Sequence, residues 1–206
     1  MRLIVVGCEN VGKTTLANNI HSWGQENGFP FHLDDHFTIP DTQNLNEDEQ
    51  ERMVNLGPVV KERFQRFQIH YHIQVLQHHD HVFITGCHIE EAVYGPRYYY
   101  DGAMPGGYGR KIETEFPSDT ILVLLTASAE IIAQRMKADP HKYNLVKEDE
   151  IQEVSEEFLH EFGQSWIRSK IRIDTTKRSP QEVMEELLSL VKPNLAEKDL
   201  LRLASL

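Results

Sequence analysis

Apolar positions in this chain alternate between two rhythms. Leu3, Ile4, Val5 and Val6 make a continuous run of strand length. Leu16, Ala17, Ile20 and Trp23 then fall three or four apart, one face of a helix that Asn27 and Gly28 stop. Residues 29–33 predict a short second strand. Residues 46–56 predict a polar helix closed by Gly57 and Pro58, and Val60, Phe64, Phe67, Tyr71 and Val75 predict an apolar stripe along a long helix after it. Residues 81–85 read as a third strand and 90–94 as helical. Gly95, Pro96 and the glycine-rich stretch 101–109 predict a loop. The apolar run 120–125 is that of a buried parallel strand, and a helix follows over 127–138. Asp139, Pro140 and His141 interrupt it. Ile151, Val154, Phe158 and Phe162 restore a helical stripe, 171–173 make a last strand, and Ser179, Pro180, Gln181 and Glu182 form a capping box that opens a helix through Val191. Pro193 ends that helix, and Leu200, Leu201 and Leu203 give the tail 192–206 an amphipathic turn or two.

Strands alternating with helices predict an α/β fold of three layers, with a five-stranded parallel sheet covered on both faces. The length of 206 residues suits one domain, 1–206.

The first strand runs directly into Gly7, Cys8, Glu9, Asn10, Val11, Gly12, Lys13 and Thr14, a complete G-x-x-x-x-G-K-T phosphate loop. A strand, a turn and a helix start in succession let backbone N–H groups and the helix N-terminus converge on a phosphate. Gly7 permits the tight turn and Gly12 the close approach; Asn10 and Val11 lie in the cradle between them. Lys13 reaches the β- and γ-phosphates, the Thr14 hydroxyl takes a Mg²⁺ position, and Thr15 lies near the α-phosphate. The donor side therefore calls for a nucleotide, ATP, with Mg²⁺. Asp34, Asp35, His36 and Phe37 follow the second strand, at the sheet edge where such folds bind ligands. An acid there can accept a hydroxyl proton, which an acceptor that is already a phosphate does not need. Adjacent aspartates can equally make a plain turn.

Composition narrows the partners. With 32 acidic against 21 basic residues the formal net charge is −11, which argues against a polyanion such as nucleic acid and favours a small molecule. There is no apolar stretch long enough for a membrane span and no leader pattern, so a soluble, unprocessed protein is expected. The two cysteines, Cys8 and Cys87, make no disulfide framework and fit a cytoplasmic setting. The helix carrying Phe64 and Phe67 can supply either core or a homodimer face.

The phosphate loop, the element order and a basic segment after the fourth strand resemble the nucleoside and nucleotide monophosphate kinases of the P-loop NTPases, thymidylate-kinase-like proteins most of all. The resemblance runs from residue 1 to about 191. It implies an ATP- and Mg²⁺-dependent transfer of a phosphoryl group to a nucleoside, nucleotide or similar small acceptor. Residues 127–136 are similar to the helix whose arginine begins the lid, which makes Arg135 a catalytic cation and 138–147, with Lys137, His141, Lys142 and Lys147 on or beside it, the lid. Residues 90–96 resemble the stretch that lines the acceptor pocket, which carries over Tyr94 and Arg97 as substrate-binding residues, Arg97 also neutralising charge. The loops at 95–111 and 138–147 are thus candidate mobile segments. Where the family has Asp-Arg after the third strand, this chain has Gly86 and Cys87. Glu90 or Glu91 then supplies the acid, and Arg97 or Arg110 the positive charge. With Lys13, Asp34, Asp35, Arg97 and Arg135 in catalytic roles, Asp35, His36, Phe37, Glu90, Tyr94 and Arg97 make the expected acceptor side.

Other readings have less behind them. A GTPase switch lacks Asp-x-x-Gly at residues 85–88 and a guanine-reading aspartate at 176–179. His78 and His79 point to different helix faces and complete no metal set. The three tyrosines Tyr98, Tyr99 and Tyr100 can stack on a nucleobase or pack the loop. A degenerate, non-catalytic nucleotide-binding module is the alternative that the missing Asp-Arg pair suggests, and the intact Lys13 and Thr14 weigh against it.

Overall fold

The computed structural model describes residues 1–36, 38–42, 44–100 and 108–205. Its centre is β1 (Arg2–Val6), whose side chains alternate between the two faces of the sheet. The phosphate loop leads from β1 into α1 (Lys13–Glu26), and β2 (His32–Asp35) follows. After α2 (Glu47–Val54) and α3 (Pro58–His78) come β3 (Val82–Thr85) and α4 (Cys87–Tyr94). A π-helical turn at Gly95–Tyr99 and a short α5 (Tyr108–Lys111) flank residues 101–107, which lie outside the described residues. Then come β4 (Thr120–Thr126), α6 (Ala129–Ala138), α7 (Ile151–Gln164), β5 (Ser169–Asp174), α8 (Pro180–Val191) and α9 (Glu197–Ala204).

All pairings are parallel, in the order β2-β3-β1-β4-β5. Leu3 and Val5 of β1 join Val123 and Leu125 of β4 in a core covered by α1 and α8, through Leu16, Ile20, Val183 and Leu187. Ile4, Val6, Leu122 and Leu124 face the other way, onto α3, α4 and α7 through Ile69, Ile73, Val93 and Phe158. This is the expected three-layer α/β/α arrangement with a five-stranded parallel sheet. The C-terminal ends of the strands gather the loops that build a ligand cleft on one edge.

Two elements differ from expectation. The second strand lies at His32–Asp35 rather than 29–33, because Phe29 and Phe31 are buried below it, Phe29 stacked on Trp23 at 5.4 Å. In α3 the expected apolar stripe is mostly the outer face: Val60, Phe67 and Tyr71 are exposed, Phe67 by 74 %. The helix instead buries Gln65, Gln68, Ile69, His72, Ile73 and Leu76. Its inner face is half polar because it packs beside the buried carboxylates and imidazoles at the end of β2, where His72 Nε2 stands 3.7 Å from Asp34 Oδ1.

Candidate active site

The phosphate loop owes its shape to three left-handed residues, Gly7 (φ 147°), Asn10 (φ 60°) and Gly12 (φ 108°). Gly7 has a second reason to be glycine. A Cβ there would stand 2.5 Å from the Leu125 carbonyl oxygen of β4, so strand and loop could not approach as they do. Val11 is buried and anchors the loop in the core, while Thr14 and Thr15 are exposed at the start of α1. Lys13 folds back over the loop and donates from Nζ to the Gly7 carbonyl at 2.6 Å.

A cleft of about 840 Å³ opens above the loop, large enough for a nucleotide and a small acceptor together. On the donor side it is lined by residues 9–16 and by Arg135, His141, Tyr143, Thr175 and Arg178. On the other side stand Asp35, His36, Thr38, Asp41, Thr42 and Glu90. The two sides differ in charge. The cations lining the cleft, among the described residues, are Lys13, Arg135 and Arg178, all on the phosphate-loop side, where Glu9 and Asp139 also stand; Asp35, Asp41 and Glu90 line the far side with no Lys or Arg among the described lining residues there.

Of Glu90 and Glu91, the two acids expected in place of one at residue 86, Glu90 lines the cleft. Its carboxylate comes from the first turn of α4 and lies 3.4 Å from Lys13 Nζ. Gly86 makes room for it: φ there is +90°, and a Cβ would fall 2.9 Å from the Glu90 carboxyl. Burial pushes the Glu90 carboxyl up to about 7 against the opposing pull of Lys13, and Glu90 Oε2 is buried without a hydrogen-bond partner. Asp35 is also raised, by burial first, with Lys13 pulling the other way. His36 is fully buried and burial holds it neutral; neither ring nitrogen has a hydrogen-bond partner, and Nε2 lies 3.5 Å from Glu91 Oε2. Glu91 itself, pushed up to about 9 by burial, accepts from the Tyr100 hydroxyl behind the cleft.

Several expected site residues are placed elsewhere. Asp34, expected with Asp35 as the base or as an acid near the metal, does not line the cleft; it sits between His72 and His32 and accepts from the Asp35 N–H. Strand alternation turns the two aspartates apart. Tyr94, expected in the acceptor pocket, is buried against Phe158, and its hydroxyl accepts from the Glu9 N–H at 3.0 Å. Tyr99 and Tyr100 are likewise core residues, and Tyr98 packs on Tyr94. Arg97 points away from the cleft into a separate groove, held by Glu153 and Glu157 of α7, and Arg110 pairs with Glu161 of the same helix. Phe37 lies outside the described residues.

Arg135 does line the cleft, but its guanidinium is committed to protein. It donates to the carbonyls of Asn10 and Val11, each at 3.2 Å, and to the Thr175 hydroxyl and carbonyl. The Thr175 hydroxyl in turn donates to the Val11 carbonyl at 3.0 Å. Thr175, Glu9 and Asp41 escaped the sequence reading: each is a single polar residue in a loop, and no spacing marks it.

Neither a known family model nor a curated protein matches the sequence. Solved structures do match. YorR protein from Bacillus subtilis, in complex with phosphorylated GDP, superposes with a TM-score of 0.62 at 18% identity, over 92% of this chain and 95% of its own. Deoxyadenosine kinase from M. mycoides with bound dATP gives 0.61 at 13%, over 92% and 98%. Thymidylate kinase from Candida albicans gives 0.55 at 13%, over 94% and 92%. At these identities the likeness is one of fold: the sheet and its phosphate loop have the architecture of P-loop kinases.

Proposed function

We propose that this protein is an ATP- and Mg²⁺-dependent kinase that transfers the γ-phosphoryl group to a hydroxyl of a small uncharged acceptor, a nucleoside or another hydroxyl compound. The charge division of the cleft carries this reading. Positive groups stand on the phosphate-loop side, and Asp35, Asp41 and Glu90 face them. A monophosphate acceptor would meet these carboxylates with like charge, whereas Arg97 and Arg110, which could have gripped it, are taken by acids of α7.

Catalysis in such a site is positioning and charge stabilisation. The loop amides and Lys13 hold the donor phosphates, Lys13 leaving the Gly7 carbonyl to do so. Asp35 accepts the acceptor's hydroxyl proton, its raised affinity for protons making it a stronger base than a solvated aspartate. His36, held neutral, has one ring nitrogen, Nδ1, with no protein partner to offer the acceptor, while Nε2 stands 3.5 Å from Glu91 Oε2. Mg²⁺ fits the donor set: the Thr14 hydroxyl is exposed at the cleft, and the carboxylates of Asp35 and Glu90 line the same cleft, Glu90 Oε2 making an ion pair with Lys13 but no hydrogen bond, so Thr14 would hold the ion with Asp35 and Glu90 as the nearby acids. When bound, it offsets charge on the phosphates.

Both cysteines are free and buried, which supports the expectation of a reducing, cytoplasmic setting, and among the described residues no helix is long and apolar enough to cross a membrane. The decisive experiment is ADP production from ATP with thymidine, deoxyadenosine, their 5′-monophosphates and shikimate as acceptors, the product identified by mass. Stimulation by an uncharged nucleoside and not by its monophosphate is expected. Turnover restricted to the monophosphates would overturn the reading, and ATP binding with no stimulation by any hydroxyl compound would leave a nucleotide-binding module.

A further inference from the structure

Glu9 occupies one of the variable positions of the phosphate loop, where a carboxylate beside anionic phosphates is costly unless it has other work. Its side chain lines the cleft and turns one carboxylate oxygen to the backbone of residues 145 and 146. Oε2 accepts from two successive backbone N–H groups, Leu145 and Val146, each at 3.0 Å. The Glu9 main chain is fixed as well, its N–H donating to the buried Tyr94 hydroxyl at 3.0 Å. Val146 is 1 % exposed and belongs to the core against α7, so residues 145 and 146 are a fixed point of the backbone.

Residues 139–144, between α6 and that point, form a strap along the rim of the cleft, with His141, Tyr143 and Asn144 lining it. Its other end is held by Arg135, which donates to Asn10 and Val11. Successive residues of the phosphate loop, 9, 10 and 11, thus hold both ends of one strap. We infer that Glu9 is a positioning residue: its carboxylate fixes the strap to the phosphate loop and so places His141, Tyr143 and Asn144 over the bound donor. This inference rests on the kinase reading for its donor, but the tether itself is a property of the nucleotide-free protein.

The test uses Glu9→Ala, Glu9→Gln and Glu9→Asp. Backbone amide exchange, measured without nucleotide, reads the tether; ADP affinity and the split between KM for ATP and kcat read its consequence. Glu9→Ala is expected to speed exchange at 145 and 146 by about tenfold and to raise the ADP Kd and the ATP KM by about tenfold, with kcat changed less than about threefold. Glu9→Gln keeps an oxygen that can accept from both amides and should restore most of the protection and affinity. Glu9→Asp, too short to reach both amides, should fall between them, and it keeps the test open if the alanine variant does not fold. Unchanged exchange at 145 and 146 in the alanine or aspartate variant would overturn the inference, as would a glutamine variant no better than alanine, or a loss confined to kcat. If the unaltered protein binds no ADP, the kinase reading fails on that result, and the exchange measurement still decides whether Glu9 holds the strap.

Discussion

The Lys13 ammonium lies 3.4 Å from the Glu90 carboxylate while donating to the Gly7 carbonyl at 2.6 Å, so the proposed phosphate-binding cation is held between the loop backbone and an acid of α4. Replacing it, as in Lys13→Ala, should lower turnover by two or more orders of magnitude with the fold kept. Steady-state ADP release together with a melting curve checks both halves.

The same pair gives a pH signature. The folded protein holds Glu90 at about 7, above its ordinary 4.5, so it binds a proton there that the unfolded chain has lost. Stability from this group therefore falls as pH rises from about 4.5 and is fully lost above about 7, a cost of up to about 3 kcal/mol. Glu90→Gln removes that cost. The variant's melting temperature should gain on the unaltered protein between pH 5 and pH 8, and a difference that stays flat over this range would contradict the assignment.

Asp34 and Asp35 should separate cleanly. Asp35→Asn is expected to cost about 10²–10⁴ in kcat, the usual worth of a general base, with ATP affinity kept. Asp34→Asn leaves the cleft lining intact and weakens contacts to His72 and His32, so it should act mainly on stability, by about 1 kcal/mol. Equal losses of kcat in the two variants would show that the strand does not divide their roles.

Arg97→Ala should leave kcat and KM within about twofold, because the side chain is held by Glu153 and Glu157 outside the cleft. A fall of tenfold or more would return Arg97 to the acceptor site.

His88 and Glu113 form a buried pair behind the sheet, Nε2 to Oε1 at 2.7 Å, with Ser165 Oγ and the Trp166 N–H also donating to Glu113. Burial opposes charge on His88, but the Cys87 and Glu113 side chains overcome it and push the imidazole up to about 9. Its stabilisation is fully present below about 6.5 and lost as pH rises through 9, while the lowered Glu113 carboxyl contributes above about 4.5 and loses its share in acid. Glu113→Gln strands a buried cation and should cost about 3–5 kcal/mol near pH 7 by chemical denaturation, with a smaller cost above pH 9.

The sequence alone determined the phosphate-loop turn and the frame that carries it. Four apolar residues followed by Gly7, Gly12, Lys13 and Thr14 admit few geometries, because strand, left-handed turn and helix start are local events within a dozen residues. Parallel strands buried on both faces announce themselves as continuous apolar runs, as at 120–125, and the capping box at Ser179 marks its helix directly. The proposed acceptor side depended on tertiary structure. Which of two adjacent aspartates enters the cleft is set by strand pairing, since a shift of one residue exchanges their faces. The buried face of α3 was disguised by Gln65, Gln68 and His72, polar residues turned away from water, His72 toward Asp34, while Phe67 and Tyr71 lie outside. Arg97 and Tyr94, expected on the acceptor side, instead meet Glu157 of α7 and the Glu9 N–H of the loop. The Glu90 carboxyl of α4 occupies the space beside Gly86, and Glu9 reaches residues 145 and 146 across the fold. Such contacts join residues far apart in the chain, and only the packed structure brings them together.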